Sequence, residues 1–177
     1  IDSDNAKAHS NLGITLSELG RLDEAIASYN RAIALQPDNA EAHSNLGITL
    51  SELGRLDEAI AAYNRAIALK PDYAAAFFNL SIANSYTNDV RAEISSLQNI
   101  LRLDSNDYGL RACVNLAIRN FLSGDFTESE KNLLASAKIQ ETSCRKYKNE
   151  KVYQTYLSEI LRWHRNKYPS IGKVKND

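Results

Sequence analysis

One stretch is written twice. Residues 6–39, AKAHSNLGITLSELGRLDEAIASYNRAIALQPDN, recur as residues 40–73 with changes at only four of 34 positions: Lys7/Glu41, Ser28/Ala62, Gln36/Lys70 and Asn39/Tyr73. A unit of this length that recurs in register is a supersecondary module whose apolar face is covered by its neighbour. The chain is therefore expected to stack modules rather than wrap one central core.

Within each unit the apolar spacing is helical. Ala8, Leu12, Leu16 and Leu19 define a first helix, A, over about 6–19. Ala25, Ile26, Tyr29, Ala32 and Ile33 define a second, B, over about 23–35. Asn5 stands where an N-cap belongs and Gly20 where a left-handed residue ends a helix. Asp23 and Glu24 suit the positive end of helix B, and Pro37 closes it. Small residues, Gly13 and Ala32, should let the two helices approach closely.

Leu12-Gly13, Ala25, Tyr29 and Pro37, repeated as Leu46-Gly47, Ala59, Tyr63 and Pro71, resemble the tetratricopeptide repeat (TPR) pattern. His9 and His43 stand at its tryptophan position, and Leu16 and Leu50 at its tyrosine position. The resemblance implies an all-α, right-handed TPR solenoid of about four helix-turn-helix repeats with a C-terminal capping helix. The expected divisions are the end of a preceding truncated repeat (1–5), TPR 1 (6–39), TPR 2 (40–73), a degenerate TPR 3 (74–107), a degenerate TPR 4 (108–141), a capping helix (145–168) and a disordered basic tail (169–177). In the third unit Ser81, Asn88 and Ser105 replace two glycines and the proline. Asn tolerates the left-handed turn, so the hairpin should survive there. The fourth runs two residues late in phase, its first helix expected over about 108–122. Residues 1–5 align with the closing turn of a repeat, so the sequence reads as part of a longer protein.

The net charge of −1 hides an asymmetry. Residues 145–177 hold nine Lys/Arg against three Asp/Glu, a balance of +6, which leaves −7 for the remainder. Tyr147, Tyr153, Tyr156, Trp163 and Tyr168 interleave with the basic residues, but at helical spacing. A cap with aromatics packed inward is the reading adopted, and nucleic acid is not an expected partner. No apolar run reaches the ~20 residues needed to span a bilayer, so no membrane partner is expected. Cys113 and Cys144 without a secretory leader point to the cytoplasm.

Catalytic residues are not expected. No GxSxG, HExxH or glycine-rich phosphate loop occurs, and the seven glycines are scattered along the chain rather than clustered. His9, His43 and Cys113 share one repeat position, where the family places a large packing residue. No metal and no cofactor are expected.

The functional candidates form a row. Asn11, Asn45, Asn79 and Asn115 hold the same repeat position, which in TPR proteins faces a concave groove. A side-chain amide both donates and accepts, so such a row could pair with the backbone of an extended peptide. It is similar to the asparagine ladder of O-GlcNAc transferase-like TPR superhelices. The alternative is that the amides only bridge neighbouring helices. Helical spacing adds Ile14, Ile48, Ile82, Ser17 and Ser51, with Ser10, Ser44 and Phe78 flanking. The expected groove is thus neutral: amide, hydroxyl and aliphatic. Ser10 and Ser44 occupy the position of the lysine with which chaperone co-factors clamp a carboxylate, and Ile14 and Ile48 that of its second asparagine. Hsp70/Hsp90 tails are therefore not expected ligands. The leading expectation is a protein-interaction scaffold for a protein or peptide partner. Two others are the non-catalytic arm of a larger enzyme, such as a glycosyltransferase, and a homo-oligomer formed by end-to-end stacking.

Overall fold

In the computed structural model, residues 5–103, 106–122, 128 and 132 are described. Among the described residues seven helices follow in order: α1 Ala6–Glu18, α2 Leu22–Leu35, α3 Ala40–Glu52, α4 Leu56–Leu69, α5 Ala74–Tyr86, α6 Val90–Arg102 and α7 Asn106–Leu122. The chain divides into two compact units, residues 1–112 and 113–177.

The first unit is a stack of three antiparallel helix pairs. Each helix packs on the next in sequence, and α1 also meets α3, as α3 meets α5. The local chemistry explains the boundaries. Asn5 Oδ1 accepts the Ala8 N–H and Asn39 Oδ1 the Ala42 N–H, both at 3.0 Å, satisfying donors that an open helix start leaves bare. Gly20 and Gly54 turn the chain with φ of 72° and 73°; Asn88 does the same at 59° in the third pair. Helices α2 and α4 have no side-chain cap. Instead Arg21 and Arg55 clasp Glu24 and Glu58 through two hydrogen bonds each.

Two apolar clusters show how the pairs interlock. Leu16, Ala25 and Tyr29 form one, flanked by Leu12, Ile14 and Leu46. Leu50, Ala59, Ala62, Tyr63, Leu80 and Ala83 form the other, flanked by Ile26, Leu46, Ile60 and Ile67. Leu46 touches both clusters, and Ile26 of the first pair reaches the second. No pair completes its core alone. Leu19, expected on the apolar stripe, is instead 66% exposed. The helix stops at Glu18 and the left-handed Gly20 turns the chain away, so Leu19 no longer follows the stripe's direction.

Inside each pair the closest approach is glycine against tyrosine. A Cβ on Gly13 would stand 2.7 Å from the Tyr29 ring, and one on Gly47 2.6 Å from the Tyr63 ring. In the third pair the equivalent residues are Ser81 and Leu97, buried at 2% and 0% exposure. The smaller leucine releases the room that serine takes, and Ser81 Oγ donates to the Phe78 carbonyl at 2.7 Å. Both replacement residues stay buried, so this position remains interior in the third pair.

Helix α7 starts two residues before the expected 108. Within the second unit Cys113, Leu116 and Ala117 are buried. Apart from residues 128 and 132, the second helix of the fourth repeat, the capping helix and the tail lie outside the described residues.

The size match is testable by a double-mutant cycle. Gly13→Ser alone should cost about 1–3 kcal/mol through overpacking. Tyr29→Leu alone should cost about 2 kcal/mol through lost contacts. Chemical denaturation of the double variant should show roughly 1 kcal/mol less loss than the sum. Strict additivity would refute the match.

Candidate functional site

Between α1 and α3, over Tyr29 of α2, lies an open cavity of about 340 Å³. Its lining is Ile14, Ser17, Glu18, Tyr29, Glu41, Asn45, Ile48, Thr49 and Glu52. Four of the expected groove residues, Ile14, Ser17, Asn45 and Ile48, meet here. Tyr29 and Thr49 form a nearly closed floor, at 2% and 1% exposure.

The floor is held by a hydroxyl chain. The Tyr29 hydroxyl hydrogen-bonds Thr49, whose Oγ1 donates to the Asn45 carbonyl at 3.1 Å and lies 3.1 Å from Ser17 Oγ. Ser17 of α1 is thereby tied to α3. Ser51, its repeat equivalent, lies 3.3 Å from the Tyr63 hydroxyl instead. Burial, with the negative charges of Glu52 and Glu18 nearby, pushes the Tyr29 phenol up to about 12. Burial also raises Tyr63, again with Glu52 contributing.

The amides are placed as follows. Asn45 lines the cavity and is half-buried; Asn79 is half-buried and Asn11 exposed. Among the described residues no hydrogen bond ties the side chain of any of these three to a neighbouring helix. Asn115 is half-buried in the second unit. Ile48 and Ile82 are 37% and 38% exposed, and Tyr86, one turn beyond Ile82, is 75% exposed. Phe78 is half-buried, its ring tilted 50° against Tyr108 at 5.6 Å with the Arg111 guanidinium 5.7 Å above it.

Two expectations need correction. Ser10 and Ser44 do not face an open groove: they are buried, at 7% and 2% exposure, and Ser44 pairs with the Tyr73 hydroxyl. Their position, one residue before the asparagine, rotates them by about 100° into the helix–helix contact. Nor is the groove neutral. Glu18, Glu41 and Glu52 edge the cavity, and among the described residues none of them forms an ion pair. The signal was present, since Glu18 and Glu52 lie seven residues, two helical turns, beyond Asn11 and Asn45. Extending the face by one more turn would have found them.

Two of the residues considered as metal ligands have other surroundings. His43 Nε2 lies 3.1 Å from the Pro37 carbonyl, and Cys113 is buried, its thiol pushed up to about 11 by desolvation. Among the described residues no three His, Cys, Asp or Glu converge as a metal site, and no helix is long and apolar enough to cross a membrane.

The family model for the tetratricopeptide repeat matches residues 10–83. This segment is a tetratricopeptide repeat array. Comparison with curated protein sequences found no match. Among solved structures, a crystal structure of MamA superposes with a TM-score of 0.76 at 24% identity, covering 81% of this chain and 83% of that one. MamA from Desulfovibrio magneticus RS-1 gives 0.70 at 18%, covering 80% and 78%. The first TPR of Spaghetti (RPAP3), bound to the HSP90 peptide SRMEEVD, gives 0.63 at 22%, covering 70% and 97%. At these identities the likeness concerns the fold: helix-turn-helix TPR pairs.

Two measurements check this geometry. Tyr29 holds its proton more tightly when folded (about 12) than a free tyrosine does (about 10), so stability is fully present below pH 10. It should fall as pH rises from about 10 toward 12, and fall less in Tyr29→Phe, as thermal melts across that range would show. In a Cys144→Ser variant, the Cys113 thiol with a pKa of about 11 should be roughly one part in a thousand ionised at pH 8. Its alkylation should then await unfolding by denaturant; rapid labelling of the native protein would contradict its burial.

Proposed function

We propose that the TPR array is a protein-interaction module that holds an extended segment of a partner against its first-helix face, along α1, α3 and α5. The observation that carries this reading is the convergence of Ile14, Ser17, Asn45 and Ile48 on one open cavity. Aliphatic side chains there offer apolar contact, and the Asn45 amide offers one donor and one acceptor to a peptide unit. Asn11 and Asn79 repeat that offer on the flanking helices. Peptide chains use such alternation of backbone hydrogen bonds and side-chain pockets for affinity and specificity.

The comparison with RPAP3 supports peptide capture as a use to which this fold is put. The ligand class differs. SRMEEVD is acidic, whereas three glutamates edge the cavity of this chain, and like charges brought together oppose binding. Chaperone tails of that type are therefore not the ligand. No role in catalysis is proposed for any described residue.

The test is a selection of random twelve-residue peptides on the full chain, followed by titration of the selected peptides against Asn11/Asn45/Asn79→Ala. Loss of two or three backbone-directed hydrogen bonds at roughly 1 kcal/mol each should weaken binding at least tenfold, with circular dichroism unchanged. Equal binding by both proteins would remove the amides from the mechanism.

A further inference from the structure

The first-helix face is not uniform along its length. At the α1–α3 end Glu18, Glu41 and Glu52 line the cavity together with the aliphatic Ile14 and Ile48, over the buried Tyr29 and Thr49. On α5 the repeat position of Glu18 and Glu52 is held by Tyr86, and that of Glu41 by Ala75. The carboxylates thus stop where the third pair begins. In their place stands an apolar patch, Ile82 at 38% and Tyr86 at 75% exposure, one helical turn apart. A tyrosine left this open on a face otherwise lined for contact offers a large, low-entropy anchor surface.

We infer that the groove selects a segment carrying a lysine or arginine followed, about three residues on, by a large apolar side chain. The basic head group would sit among the three carboxylates, its methylene stem along Ile14 and Ile48; the apolar residue would cover Ile82 and Tyr86. This inference rests on the peptide-groove reading above.

Three arguments support the occupant. The first is charge complementarity: three carboxylates without an ion pair among the described residues edge one cavity, and two of them, Glu52 and Glu18, add to the burial that raises the Tyr29 phenol. The second is exclusion of a smaller cation, because the carboxylates do not converge as a set that could hold a metal ion. A long side chain with a delocalised or ammonium head reaches separated carboxylates where a bare ion does not, and its stem suits the aliphatic lining. The third is spacing. Packed helices lie roughly 8–10 Å apart, so the single step from the α3 wall of the cavity, which carries Glu41, Ile48 and Glu52, to α5 matches about three residues of extended chain at roughly 3.1–3.3 Å each. In a polyproline-type conformation residues three apart also share a face.

The experiment uses three pools of fluorescein-labelled twelve-residue peptides with random flanks and a fixed centre of Arg-x-x-Leu, Gln-x-x-Leu or Glu-x-x-Leu. Binding to the full chain is read by fluorescence anisotropy at low and high salt. The Arg pool should bind at least tenfold tighter than the Gln pool, the Glu pool weakest, and the advantage should shrink as salt screens it. Glu18→Gln/Glu52→Gln should abolish the preference for Arg over Gln. Tyr86→Ala should weaken the Arg pool several-fold yet leave that preference. All three side chains are exposed, so the fold should tolerate these changes, and circular dichroism checks it. Equal binding of the Arg and Gln pools, with both weakened by Asn11/Asn45/Asn79→Ala, would overturn the charge selection and keep the groove. Pools that bind but ignore the asparagine substitutions, or no binding by any pool, would overturn both.

Discussion

The first two helix pairs depend on one contact: the ring of a tyrosine on the second helix of a pair laid against a glycine on the first. No side chain other than hydrogen fits at Gly13 or Gly47, because the next carbon would lie within 2.8 Å of ring atoms. That contact sets how near the two helices come. It also drives the phenol through the pair, so that its hydroxyl end emerges under the opposite face. There the Tyr29 hydroxyl meets Thr49 and becomes part of the cavity floor. The core contact and the candidate site are two ends of one side chain.

A stack built this way has a consequence for where a ligand can go. The second helices fill the space beside the first ones with Ala25, Ala32, Ala59 and Ala66, all fully buried. The far face of α1, α3 and α5 is left without a covering layer. Side chains there, Ile48, Ile82 and Tyr86 among them, keep substantial exposure although they are large and apolar. Such a face is a surface for another chain rather than an enclosed chamber for a reaction. Its charge comes from glutamates at the helix ends: Glu18 and Glu52 hold the same place in the two near-identical units, Glu41 stands where the first unit has Lys7, and the third unit has none of them.

Much of the fold was legible before any coordinates. The near-identity of residues 6–39 and 40–73 announces stacking, and Asn5, Gly20 and Pro37 mark helix ends by chemistry that acts within a few residues. Those marks are local, so they survive without knowledge of packing. The drifted third unit was harder. Ser81 in place of glycine looks like loss until Leu97 is seen to have replaced the tyrosine. The compensation joins two residues sixteen apart on different helices, and helical period alone does not pair them.

The candidate site was legible in part. Ile14, Ser17, Asn45 and Ile48 share one cavity because residues three apart share one face, which is arithmetic on a single helix. Ser10 and Ser44 are one residue off that face and are buried, an error of angle that only the neighbouring helix makes visible. The sequence by itself determined the period, the helices, their ends and the residues on each face, since all of these follow from bonding within about one turn. Tertiary structure alone decided how deep each face lies, that glutamates from two different helices rim one hollow, and that the third pair trades them for an open tyrosine patch. Depth and convergence depend on how near one helix is brought to the next, and that distance is set by a contact between residues remote in the chain.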